Sequence, residues 1–213
     1  MVDSGVSAEA HGDAGKGPTR SGRRIPLPED MYNVPANLLA CVVEIAPRLK
    51  KSGAWWALSG DLSENMLGVY VRPRGVEILT DTAGVERISS ALSNYKPSPV
   101  EVRETRLERE AELDLKKYPV FVRSRCTEFS LNGAKVAIHG DYQMKVGEWE
   151  WGDALFFDPD FVNIAGLRIP VVPTSLKSEL YITLGWNDRA RLISEAFTRA
   201  HSPTYEGPPD SDG

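Results

Sequence analysis

The feature that most constrains this chain is a pair of apolar runs joined by a glycine turn and a short polar segment. They lie in WWALSGDLSENMLGVYVRPRGVEILTD, residues 55–81. The first run, Trp55-Trp56-Ala57-Leu58, stops at Ser59-Gly60, and the second, residues 76–80, carries a single carboxylate, Glu77. Short β-rich runs bounded by turn residues predict buried strands. Residues 61–67 between them predict a short helix whose N–H groups, with Gly60, face one point where an anion could sit. Asp61 and Glu64 stand beside that point and would repel a phosphate unless a cation intervenes.

The elements around this unit alternate between helix and strand. Residues 34–51 predict a helix capped by Asn33, with Pro35 in its first turn and Leu38, Val42, Ile45 and Leu49 on one stripe. Residues 82–94 predict another, capped by Asp81 or Thr82 and buried on Val85, Ile88, Leu92 and Tyr95. Asn132-Gly133 between the β-rich runs 120–130 and 134–140 is a strong hairpin signal. Val100 and Val102 predict an edge strand, and the Glu- and Arg-rich residues that follow read as a solvated stretch with a short helix over 109–116. A second short hairpin is expected around Gly166, then a helix from Thr174 to about 184 and another opened by Asn187, buried on Ile193, Ala196, Phe197 and Ala200. The expected class is α+β: a mixed sheet with central strands at 55–59, 76–80, 120–130 and 134–140, flanked by helices, with a C-terminal helical segment. The expected division is a disordered tail at 1–26, a core at 27–172, helices at 173–201 and a second tail at 202–213.

Charge and cysteine usage narrow the function classes. A formal charge of -5 and a pI near 5.3 argue against a general nucleic-acid binder, which would be basic. The two cysteines, Cys41 and Cys126, lack zinc or disulfide spacing and fit a reducing cytoplasm. No stretch has the length or apolar content of a signal sequence or a membrane span, so a cytoplasmic location without membrane contact is expected. In GEWEWGD, Trp149 and Trp151 alternate at strand spacing; the pair either stacks a base or packs as a cross-strand ladder or an interface patch through which the chain oligomerises.

The strand, glycine turn and acidic strand of residues 55–81 resemble the core of the polymerase β-like nucleotidyltransferase superfamily. There, a Gly-Ser or Gly-Gly turn after a first strand holds the triphosphate, and a second strand reading Asp-apolar-Asp or Asp-apolar-Glu ligates magnesium. The resemblance implies nucleotide binding at Ser59 and Gly60 and a metal-ligating, catalytic Glu77. The first carboxylate position is Gly75. A further strand with a third catalytic aspartate resembles residues 135–141, where position 137 is alanine and His139 or Asp141 stands at the strand end. Asp61, beside the turn, and Asp141 are the candidate substitutes, and aspartates placed at 75 and 137 are expected to raise metal affinity.

The C-terminal segment resembles that of the nucleotidyltransferase-like toxins of abortive-infection systems, where a lysine on a helix after a proline precedes an Arg-Asp or Lys-Asp pair. Carried over, Lys177 faces phosphate and Asp188 with Arg189 buttresses it; the alternative is a plain ion pair of Lys177 with Asp188 between two helices. The chain is therefore expected to be nucleotidyltransferase-like and catalytically degenerate, binding nucleotide, RNA or a protein partner, with Mg2+ held loosely if at all. The competing reading is an active metal-dependent transferase using Glu77 with Asp61 or Asp141, and a third is an α/β protein of unrelated function. Two-metal transfer needs several carboxylates to hold cations about 4 Å apart.

Overall fold

The computed structural model describes residues 34–107 and 119–201. The expected tails, the Asn33 cap and the helix expected over 109–116 lie outside the described residues.

Helix α1 (Ala36–Lys51) forms where apolar residues recur at helical spacing, and Leu38, Cys41, Val42, Ile45 and Leu49 are buried along one stripe. Pro47 lies on its exposed side, where water can satisfy the carbonyl that the missing N–H leaves open. Strand β1 (Trp56–Ser59), helix α2 (Gly60–Met66) and strand β2 (Gly75–Thr80) follow. Helix α3 (Thr82–Ala91) is capped by Asp81, whose side chain accepts from the Gly84 N–H. Then come β3 (Glu101–Leu107), β4 (Val120–Leu131), β5 (Ala134–Val146), β6 (Asp160–Ile164) and β7 (Leu167–Val171). Both hairpin turns, Asn132-Gly133 and Ala165-Gly166, place two consecutive residues at positive φ, the twist that tight hairpins require. Helices α4 (Thr174–Thr183) and α5 (Asn187–His201) complete the described chain.

The strands form one mixed sheet in the order β3-β4-β5-β2-β1-β7-β6. β2 runs parallel to β5 and β1 parallel to β7; the other neighbours are antiparallel. Alternation along the strands gives the sheet two different faces. Val76, Ile78, Val136 and Ile138 point to α1 and α3 and are fully buried with them. Glu77, Leu79, Ala137 and His139 share the opposite face.

Several expectations shift. β5 continues to Val146 rather than stopping at 140, past an irregularity opposite Arg123 and Arg125. β3 runs to Leu107, and α3 ends at Ala91, followed by a single 3-10 turn at Ser93–Tyr95. The GEWEWGD segment is not a strand, because Gly147 at φ 58 ends β5 first. Trp149 is exposed, while Trp151 lies between the Arg123 guanidinium at 4.5 Å and the Lys145 ammonium at 5.1 Å. Cation–π contact thus replaces the expected cross-strand ladder. On α5, Ile193 and Ala196 are buried against Val69, but Phe197 is exposed.

The sheet's dependence on its helix-facing layer is measurable. Ile138→Ala, at a fully buried position in β5, should lower unfolding stability by about 2–5 kcal/mol. Urea titration followed by circular dichroism should show the midpoint falling without a change in slope.

Candidate functional site

The site is built at the turn between β1 and α2. Ser59 closes β1 opposite Glu77 in the antiparallel register, which brings the β2 carboxylate beside the turn. Gly60 has φ 63, and a Cβ there would lie 2.6 Å from Glu77 Oε2. Only glycine meets both the backbone angle and the close approach. The Glu77 side chain reaches solvent and makes no hydrogen bond among the described residues. Protein nonetheless crowds the floor around it; that desolvation first, and the Asp61 charge second, hold its carboxyl above the ordinary carboxylate range, while Lys177 opposes. The Tyr142 phenol on β5 also feels the Glu77 charge and, mainly through burial, stays protonated well above its usual range.

Behind the turn lies a buried polar network that joins the C-terminal helices to α2. Lys177 on α4 is nearly inaccessible, and its ammonium donates to Gly60 O at 3.0 Å, Ser63 Oγ at 2.6 Å and Glu64 Oε1 at 3.2 Å. Those are all three donors that an ammonium has. Glu64 is fully buried and also accepts from Tyr181 Oη at 2.5 Å and from Arg189 Nε at 2.7 Å. The other side of the Arg189 guanidinium holds Asp61 Oδ1. Burial pushes the Lys177 amine below its ordinary value, and the Glu64 carboxylate pulls the other way.

The site residues read from the sequence therefore divide. Ser59, Gly60, Asp61, Glu77, Lys177 and Arg189 come together around one turn. Asp141 does not: Glu77 pairs with Ala137, and Asp141 lies four residues further along β5, about 13 Å at strand rise. There its carboxylate accepts from the Thr82 N–H at 3.1 Å at the start of α3. Asp188 is also apart; it is exposed and lies 3.7 Å from Arg191 on its own helix, so the alternative of a Lys177–Asp188 ion pair is not met, and Lys177 pairs with Glu64 instead. His139 bonds Ser124 Oγ through Nδ1 at 3.0 Å, and burial lowers its pKa to about 4, so it is neutral at ordinary pH. Sequence reasoning set Glu64 beside the anion point without foreseeing its burial, and passed over Tyr181 and Tyr142. For Tyr181 a signal existed: it follows Lys177 by four residues and so shares its helix face.

The residues present do not fit a two-ion magnesium centre. Ala137, the strand neighbour of Glu77, offers only a methyl group. At Gly75 a Cβ would stand 2.7 Å from the Lys135 carbonyl oxygen, so the backbone of β5 closes that position even to alanine. An aspartate at 75 could not be accommodated without moving a strand, which corrects the expectation of restored metal affinity. Asp61 is engaged by Arg189. Among the described residues no group of three or more His, Cys, Asp or Glu side chains could hold a metal ion.

Neither a protein-family model nor a curated protein matches the sequence. Solved structures do match. A proposed nucleotidyltransferase from Thermotoga maritima superposes with a TM-score of 0.53 and 24% identity, covering 76% of this chain and 92% of its own. ANT(2″)-Ia, solved with adenylyl-2″-tobramycin, gives a TM-score of 0.42 at 8% identity, with 75% and 88% of the two chains covered. The lincomycin-bound lincosamide antibiotic adenylyltransferase LnuA gives 0.42 at 13% identity, with 77% and 99% covered. No helix among the described residues is long and apolar enough to cross a membrane.

The electrostatics predict the outcome of three substitutions. Lys177→Met leaves Glu64 buried with one cation fewer and should cost about 3–5 kcal/mol. Asp188→Ala, at an exposed position, should stay within about 0.5 kcal/mol in the same denaturant titration. For Glu77 the sign is the reverse of a stabilising carboxylate. Its folded value lies above the ordinary 4.5, so the stability it contributes is present below that value and lost as pH rises through the folded one. Glu77→Gln should therefore melt higher than the parent at pH 7, and the gap should close as the pH falls below about 4.5.

Proposed function

We propose that this chain, whose fold is that of the polymerase β-like nucleotidyltransferases, acts by binding and not by nucleotidyl transfer. The observation that carries this reading is the state of the paired strands. Glu77 is the one carboxylate of β2, with a methyl group at 137 on one side and the Lys135 carbonyl closing position 75 on the other, while Glu128, opposite Ala137 on β4, is engaged by Arg103 and Lys135. Transfer through two metal ions needs acidic ligands for both the attacking and the leaving oxygen. A single carboxylate with an engaged Asp61 supplies ligands for one loosely held magnesium ion at most.

The local charges support an order among the ligands. Asp61, Glu64 and Glu77 supply three carboxylates against the two cations Lys177 and Arg189. That balance disfavours a free triphosphate, which brings several negative charges of its own. A protein partner stands first, because Phe156 is largely exposed and packs on Trp55 with ring centroids 5.0 Å apart. Aromatic side chains, Phe among them, are enriched at protein interfaces. Nucleotide or RNA stands second. The active reading, with Glu77 aided by Asp61 or Asp141, is weakened because Arg189 engages Asp61 and Asp141 bonds the start of α3.

The test is direct. Calorimetric titration with each of the four nucleoside triphosphates, with and without magnesium, should give binding no tighter than about millimolar, roughly 4 kcal/mol. Radiolabelled triphosphate should yield no transfer of the nucleoside monophosphate. Robust transfer that disappears in Glu77→Ala would restore the enzyme reading.

A further inference from the structure

The buried network behind the turn has the composition of an oxyanion receptor, and its occupant comes from the chain itself. Lys177, Tyr181 and Arg189 all donate to the two oxygens of Glu64. The Ser63 hydroxyl completes the wall by accepting from Lys177. A lysine ammonium, a guanidinium edge and a phenol hydroxyl around one small volume form a donor set suited to a phosphoryl oxygen cluster. Glu64 is fully excluded from solvent, so its carboxylate is a permanent guest rather than a surface acid that happens to be near. The guest also lies within reach of the candidate cleft, since Lys177 bonds the carbonyl of Gly60, against which Glu77 rests.

We infer that Glu64 is a specificity-determining residue: its carboxylate fills a receptor for phosphate-class anions built by Lys177, Tyr181, Arg189 and Ser63, and so excludes such anions from the cleft. The inference deepens the binding reading and rests on it only for the location of the cleft. It leaves the cleft open to ligands without a phosphate at this point. The receptor is held together by the same carboxylate that blocks it, because without Glu64 the buried Lys177 has no counter-charge, which destabilises the fold.

Removing the guest while keeping the receptor tests this. In Glu64→Ala the vacated space is faced by Lys177, Tyr181 and Arg189, each with one donor left unpaired, so inorganic phosphate should bind there. Thermal unfolding of this variant should show a saturable rise in Tm of about 3–6 °C at phosphate tenfold above its dissociation constant. The parent chain should show no saturable rise. Glu64→Gln, which removes the charge but leaves the volume filled, should behave like the parent, and this separates a vacant receptor from a general gain of positive charge. If Glu64→Ala does not fold in phosphate-free buffer, its refolding yield from denaturant should recover as phosphate is added. An equal phosphate response in the parent chain, an equal response in Glu64→Gln, or no recovery of Glu64→Ala at any phosphate concentration would overturn the assignment. Because the readout uses neither nucleotide nor metal, its failure is distinct from a finding of transfer activity.

Discussion

The attachment of the C-terminal helices to the sheet depends on one buried interaction, that of Lys177 with Glu64. Burying both ions carries a desolvation penalty that Coulomb attraction alone offsets poorly. Here the penalty is met by completeness: the ammonium uses all three donors, and the carboxylate accepts from three different side chains. Apolar packing at this junction is modest by comparison, with Val69, Ile193 and Ala196 as its buried members. The network therefore does more than add stability. It sets where α4 and α5 sit relative to the turn at Gly60, since few other geometries satisfy every polar group at once.

Much of the fold was legible because its signals are local. Asn132-Gly133 and Ala165-Gly166 announce hairpins, and the stripes on α1 and α3 announce which side they bury. The order of the elements around residues 55–81 was enough to suggest the sheet that the comparison with known structures supports. What could not be read was pairing between distant side chains. Nothing in a short acidic helix says that Glu64 is buried, because the residue that makes burial tolerable lies 113 positions away. The Trp149 and Trp151 alternation misled for the opposite reason: a local period was present, but Gly147 had already ended the strand.

The candidate site was half legible on the same grounds. Alternation alone put positions 75 and 77 on one face, and the parallel register put 137 beside them. The sequence showed that the side chains there were missing, but not that the space was missing too. Only the distance from Gly75 to the Lys135 carbonyl shows that the backbone of β5 occupies the volume a carboxylate would need. Asp141 illustrates the limit of counting along a strand, since a position near the expected carboxylate can still point to a helix terminus instead of a cleft.

The length of chain between Glu64 and its partners also sets an order of events. Tyr181 and Arg189 lie 117 and 125 residues beyond it. Contacts of such separation close the largest loops, whose entropic cost must be met before they add stability. The seven strands are complete by Val171, before either cationic helix exists on a chain growing from its N-terminus. During synthesis, then, α2 must wait with an acid it cannot bury, and the turn at Gly60 reaches its final shape only when α4 and α5 arrive. The cleft is complete only once both C-terminal helices are in place.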